Sequence, residues 1–252
     1  TVSSAVFAPY QGYNTISTAA SLGNLYWNAL EVSARHPIGH NIFVSVAYTW
    51  QHGFSDERTT NFFEGSSPQD TYNIGADYGS SQVNAAQILA ISHIWTIPWY
   101  QHASGFKGAA LGGWRYSGIT TFMSGFSRDP GLSIPHQGLA TRPNRVSSDI
   151  SGPKTVQEWF NTAAFAAPAP GFYGNAGTGT ITGPGLVNFD MAFYKDFKIT
   201  ERATAEFRGE LFNIFNHTNF NGVSTAYGSG NFGRLTSAAD PRIVEFALRI
   251  HF

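Results

Sequence analysis

The sequence has no cysteine, no long apolar run and little charge. Without cysteine in 252 residues there is neither a disulfide scaffold nor a thiolate-bound metal, and the chain suits a compartment where free thiols would be oxidised. No stretch of about 18 consecutive apolar residues occurs, which excludes a transmembrane helix. Charged residues make up 12%, about half the usual ~25%. The formal net charge is −1, so no electrostatic case exists for a nucleic-acid partner. Gly-x-Ser-x-Gly and His-Glu-x-x-His are both absent, so there is no nucleophile elbow and no metalloprotease helix. We expect no enzymatic activity and no cofactor. Low charge does not mean disorder here. Disorder needs few aromatics and high charge, and this chain has 15% aromatics and 27 glycines.

What is present is alternation. Residues 242–252 read Arg-Ile-Val-Glu-Phe-Ala-Leu-Arg-Ile-His-Phe. Val244, Phe246, Leu248, Ile250 and Phe252 are large and apolar; Glu245, Ala247, Arg249 and His251 are charged, polar or small. Successive side chains of a strand point to opposite faces, so this is one strand with one apolar face and one wet face. A terminal aromatic closing such a run is the pattern of the last strand of an outer-membrane barrel, where about 9–11 residues cross the bilayer. A soluble sandwich strand could look the same. The mean hydropathy, −0.16, does not separate the two, because half of each barrel strand faces water.

The same pattern recurs along the chain. Candidate strands are 10–18, 26–35, 41–51, 84–97, 114–125, 186–197, 203–215 and 242–252. In 41–51, Ile42, Val44, Val46, Tyr48 and Trp50 share a face. In 186–197, Val187, Phe189, Met191 and Phe193 do. Strand 84–97 leaves two facings open: either Ile88, Ala90, Ser92 and Ile94 or Leu89, Ile91, His93 and Trp95 form the outer face. The phase slips over 212–215, which suggests a bulge. Residues 155–160 could form a short helical turn.

The connections alternate short and long. Turns at 36–40, 98–113 and 198–202 are short or medium; loops at 52–82, 127–185 and 216–240 are long and rich in Gly, Ser, Asn and Pro. A sandwich has no reason to put every long loop at one end. A membrane barrel does, with short turns inside and long loops outside. The expected fold is all-β: an antiparallel up-and-down meander of about eight strands, part of a large transmembrane β-barrel. Ile42, Val44, Val46, Val187, Phe189, Phe246, Leu248 and Ile250 then face lipid. Glu31, Arg35, Glu206, Arg208, Glu210, Glu245 and Arg249 face a wet lumen, where several charges on one strand face are ordinary. Tyr48, Trp50, Phe122, Phe126 and Phe215 would form an outer aromatic girdle; Trp95, Trp99, Trp114, Tyr116, Phe197 and Phe252 an inner one. The closing strand, with Phe246, Leu248, Ile250 and Phe252, is the candidate barrel-assembly strand.

Several stretches carry a resemblance. Leu-Phe-Asn-Ile-Phe-Asn-His-Thr-Asn-Phe at 211–220 is similar to a signature of the TonB-dependent receptor-like outer-membrane barrels of the Oar type. So are Gly-Trp-Arg-Tyr-Ser-Gly at 113–118, Trp-Asn-Ala-Leu-Glu-Val-Ser at 27–33, Tyr-Thr-Trp at 48–50, Trp-Phe-Asn-Thr-Ala-Ala-Phe at 159–165 and Asp-Pro-Arg at 240–242. The matches keep their order over nearly the whole chain. The resemblance implies an outer-membrane barrel of about 22 strands with a plugged lumen, energised by an inner-membrane complex. Residues 1–252 resemble only the C-terminal portion of that barrel domain. The N-terminal barrel strands and the plug are missing, and the chain, which opens Thr1-Val2-Ser3, reads as a mature segment or fragment. The implied partners are outer-membrane lipid, the missing N-terminal barrel and plug, and through them the energy-coupling complex.

Two functions remain open. One is uptake of a bulky nutrient, an oligosaccharide, peptide or chelate, with contacts in the long loops, where binding residues collect. Phe62, Phe63, Tyr72, Trp159, Phe172 and Tyr173 are the candidate contacts; for any one of them, packing within its loop is the commoner role. The other is a small closed eight-stranded outer-membrane barrel with a structural or adhesive role. A soluble lipocalin-like binder fails on the one-sided long loops. Asp56, Glu57, Asp70 and Asp77 could hold a cation, and Asp190, Asp196, Glu206 and Glu210 could be read as paired carboxylates, but solvated loops and a lumen row explain them as well.

Overall fold

The computed structural model describes residues 21–57, 68–133, 141–200 and 202–252. Seven long strands form the path of one eight-stranded sheet. They are β1 Leu25–Ile38, β2 Ile42–Ser55, β3 Gln87–Thr96, β4 Trp114–Met123, β5 Leu186–Lys198, β6 Thr204–Phe212 and β7 Ile243–His251. Each pairs antiparallel with its neighbour in sequence. The eighth member, Gly79–Ser80, pairs with the end of β2. Candidate strand 10–18 lies outside the described residues. Among the described residues β1 and β7 end the path and do not pair with each other.

The register carries one face unbroken across all seven strands. Paired residues share a face, and the chain of partners runs Ala34–Val46–Ile91–Thr120–Phe189 in one direction. It runs on as Phe193–Gly209–Phe246 in the other. Every residue expected on the apolar side falls on this face, and every expected lumen residue on its opposite. The register also decides β3: Leu89, Ile91, His93 and Trp95 belong to the apolar face. Period two alone could not choose, because both sets contain large apolar side chains.

Three glycines in the sheet accept a ring from across the ladder. A Cβ on Gly118 would sit 2.6 Å from His93 Cε1, one on Gly209 3.3 Å from Phe246, and one on Gly53 2.3 Å from Trp27. The ring covers backbone that glycine leaves bare, the aromatic rescue of strand glycines.

Several expectations need correction. The turn expected at 36–40 is only residues 39–41, with Gly39 at φ 62. His36 and Pro37 stay in β1; Pro37, without an N–H, is tolerated because β1 is a terminal strand of the described sheet. β2 runs past residue 51 to Ser55, extended by its pairing with Gly79–Ser80. Over 212–215 Phe212 ends β6 and 213–215 form a turn, not a bulge: Asn213 and Asn216 are left-handed at φ 48 and 51. Asn tolerates that conformation because its short polar side chain bonds locally. Residues 155–160 are not helical. Thr155 N donates to Glu158 O at 3.0 Å, the reverse of a helical bond. The medium turn at 98–113 contains a helix, α1 Gly105–Leu111.

The three long loops all leave the same end of the sheet, and the short turns the other. The long loops are not loose chain. Ser127–Arg128 pairs with Ile181–Thr182, Asn144–Arg145 with Phe165–Ala166, and Gly131–Leu132 runs parallel to Ala226–Tyr227 of the third loop. Phe160, Ala164, Phe165, Ala176 and Ile181 form a buried core, with Ile150, Trp159, Val223, Tyr227 and Phe232 packed around it. The sequence hid this core because its members are scattered over some eighty positions of Gly/Pro-rich chain with no period.

Candidate functional site

The polar face gathers its charges near the short-turn end. Asp196 pairs with Glu206, and Tyr194 with Arg208, in the β5–β6 register, and Tyr194 also opposes Arg115 of β4. Arg115 Nη2 lies 3.0 Å from Asp196 Oδ2 and 3.1 Å from Glu206 Oε2. Arg208 reaches Glu206 and Glu210, each at 3.7 Å. The Tyr194 ring is flanked by both guanidiniums, Arg115 at 5.7 Å and Arg208 at 5.1 Å. On β7, Arg249 stands opposite Glu206 and Glu245 opposite Glu210. Glu31 and Arg35 lie on the same face of β1. Arg115 is 42% exposed and Asp196 56%, so each pair is worth at most about 1 kcal/mol. These four arginines face five carboxylates, so the wall carries no strong field of one sign. It offers donors and acceptors to a polar ligand but does not steer a highly charged one.

The candidate loop contacts separate into groups. Phe62 and Phe63 lie outside the described residues. Tyr72 is 99% exposed, Phe172 68% and Tyr173 42%. Gln69 ties their segments together: its Nε2 donates to Gly174 O at 3.0 Å, and its Oε1 accepts from Thr141 N and Arg142 N. Below them Asp77 and Arg142 form a buried ion pair at 2.7 Å. Trp159 belongs elsewhere. It packs on the loop core, its Nε1 donates to Thr182 O at 2.8 Å, and Lys154 Nζ sits 4.8 Å over its ring. The structure therefore gives Trp159 a packing role, while Tyr72, Phe172 and Tyr173 point outward.

The acidic loop residues are engaged with protein. Asp56 accepts from Asn24 N and Nδ2, Asp70 from Tyr72 N, and Asp77 from Gln69 N. Among the described residues no cluster of three metal-ligating side chains occurs. Asp190 is likewise a structural acceptor, holding Asn213 N and Asn188 Nδ2. His93 lies on the apolar face with its ring 4.9 Å from Tyr116.

The stretch 211–220 ties three strand ends together. Asn213 exchanges bonds with His217, accepting from its N–H at 3.0 Å and donating to its carbonyl at 2.9 Å. Asn219 grips Val187 at the start of β5, Oδ1 accepting its N–H and Nδ2 donating to its carbonyl, both at 2.9 Å. Asn216 Oδ1 accepts from Arg242 N just before β7. The asparagines suit these places because a side-chain amide offers a donor and an acceptor on separate atoms, so one residue can bond a backbone N–H and a carbonyl together. Asn213→Ala, which loses both bonds to His217 and a longer one from Nδ2 to Asp240 O and keeps a left-handed φ, is expected to cost about 2 kcal/mol. Asn213→Gly is expected to cost less, since glycine accepts the φ. Equal urea midpoints for the two variants would contradict this role.

A family model described as an outer membrane beta barrel domain matches residues 1–245. No curated protein and no solved structure matches the chain.

Proposed function

The chain belongs to the outer-membrane β-barrel domain family, and on that premise we propose that it is the C-terminal portion of a TonB-dependent receptor barrel that takes up a bulky nutrient. The protein sits in the outer membrane, with its apolar face toward lipid and its polar face toward the lumen. The long loops are then extracellular and the short turns periplasmic.

The observation that carries the reading is the loop layer. Three loops from three hairpins share strand pairs, a buried ion pair and an aromatic core, and they present Tyr72, Phe172 and Tyr173 from that rigid support. Binding sites are commonly built this way, on loops positioned by a scaffold. The near-neutral charged wall below favours a polar, multivalent ligand, in keeping with an oligosaccharide or peptide. The resemblance at 211–220 supports the receptor family, and the open path from β1 to β7 is in keeping with a wide barrel. Its partners would be outer-membrane lipid, the rest of the barrel and plug, and an inner-membrane energy-coupling complex. We expect no catalysis, no cofactor and no nucleic-acid partner.

Uptake tests this. Cells carrying the intact receptor should accumulate a labelled oligosaccharide, peptide or metal chelate, and a protonophore should stop it. Tyr72→Ala combined with Phe172→Ala and Tyr173→Ala should weaken binding of that ligand to the purified protein at least tenfold, about 1.4 kcal/mol. Accumulation that survives the protonophore, or unchanged binding by the triple variant, would overturn the proposal.

A further inference from the structure

Between β3 and β4 the chain makes an excursion that strand pairing does not require. A two-residue turn closes a hairpin, yet residues 97–113 intervene here and include α1. Three contacts hold the excursion, and all of them come from the lipid-facing side of the sheet. Trp99 packs edge-on against Trp95, with centroids 5.4 Å apart. Trp114 Nε1 donates to Ala110 O at 3.0 Å. Lys195 Nζ donates to Gly112 O. Trp114 and Lys195 are register partners on the apolar face, and Trp95 joins them through Tyr116 and Phe193. The helix is therefore hung on the outside of the barrel wall at its periplasmic rim and does not lie over the lumen.

Lys195 is the one lysine on that face and is only 3% exposed. Its charge is placed at the carbonyl end of α1, where a cation is favoured, and lies 5.9 Å from the Trp114 ring and 5.2 Å from Phe197. The excursion is closely built. A Cβ on Gly108 would lie 1.9 Å from Ala103 O, and one on Gly112 2.4 Å from Tyr100 O. Its outward side nonetheless remains apolar: Phe106 is 85% exposed, Trp99 61%, Tyr100 53% and Leu111 50%. Lys107 and His102 are exposed beside them.

We infer that α1 is an interfacial anchor, with Phe106, Leu111, Trp99 and Tyr100 immersed in the periplasmic leaflet of the outer membrane and Lys107 and His102 at the phosphates of its phospholipids. Continuity identifies the occupant. The apolar side of α1 extends the lipid-facing band of Trp95, Trp114 and Phe197, in which Lys195 is buried, and lipid covers that band. Tryptophan and tyrosine favour the headgroup level, and a short helix that carries an exposed phenylalanine and a lysine beside the Trp99-Tyr100 pair suits that plane.

The chain has no cysteine, so a single introduced one can carry a probe. The intact protein with Phe106→Cys, and separately Leu111→Cys, is labelled with an environment-sensitive fluorophore and reconstituted into phosphatidylethanolamine/phosphatidylglycerol vesicles. Folding is verified by the heat-dependent shift in gel mobility. Both labels should emit to the blue of the same label at Tyr72→Cys in the long loops. Lipids with a nitroxide high on the acyl chain should quench most of their fluorescence and leave the loop label bright. Emission and quenching equal to those of the Tyr72→Cys label would overturn the anchor. So would a shielded signal that lipid nitroxides do not quench and that vanishes as protein is diluted in lipid, which would mean that a second copy of the chain covers the helix.

Discussion

Val46→Arg is expected to destabilise the membrane-inserted protein by about 2–4 kcal/mol, and Ala47→Arg by much less. Val46 stands mid-strand on the apolar face, flanked by Ala34 of β1 and Ile91 of β3. Tyr48 and Trp50 lie toward the outer rim and Ile42, opposite Trp95, toward the inner one. A guanidinium at position 46 would therefore sit near the middle of the hydrocarbon, where it can reach neither headgroups nor lumen water without distorting the bilayer. Ala47, one residue along, lies between Ser33 and Ala90 on the opposite face, where an added arginine is solvated. The two side chains differ in nothing but the side of a single strand. Reversible urea unfolding of both variants in lipid vesicles gives the comparison. Equal costs would mean that the faces have been assigned wrongly.

Phe160→Ala is expected to cost the loop layer about 3–5 kcal/mol, the usual range for truncating a buried aromatic. Phe160 is 1% exposed and meets Phe232 at 5.1 Å and Phe165 at 5.8 Å, both edge-to-face. With Phe165, which also meets Phe232 at 5.8 Å, it joins the third loop to the second. Among the described residues the cluster around it is built from the loops alone, so the damage should stay local. Trypsin should cut faster at Arg145, Lys154 and Arg234, and amides of 143–182 and 220–238 should exchange faster, while β3 to β6 keep their protection. A protein whose loops resist trypsin as before, or one that unfolds as a whole, would show that this core does not hold the layer as described. Ligand binding would then have to be sought away from these loops.

The resemblance at 211–220 gains a physical content from the coordinates. Each asparagine in it makes a bond that no aliphatic residue could, and Asn213 and Asn216 take a backbone conformation that most residues avoid. The stretch that carries the family likeness is therefore a strand-end fastening. A binding role for it finds no support in these contacts, all of which are spent within the protein.

Strand existence, the two faces and the end-to-end alternation of loop length were legible from residue order alone. The reason is local: side chains alternate with a period of two whatever the partner strand is, and lipid on one side with water on the other imposes that period on composition. Val187, Phe189, Phe246 and Leu248 announce their face without any knowledge of their neighbours. Tertiary structure decided what depends on partners. The facing of β3 required the register with β2 and β4, since Ile88 and Leu89 are equally apolar. The Trp159 side chain became packing only when Thr182 and the Phe232 cluster came to it from residues far along the chain. The helix at Gly105–Leu111, too short to be stable alone, holds its place through Trp114 and Lys195 on the neighbouring strands. Local pattern is set by which solvent a residue meets, and so it is written in sequence; contacts across long loops depend on chain closure and shape, which have no period to read.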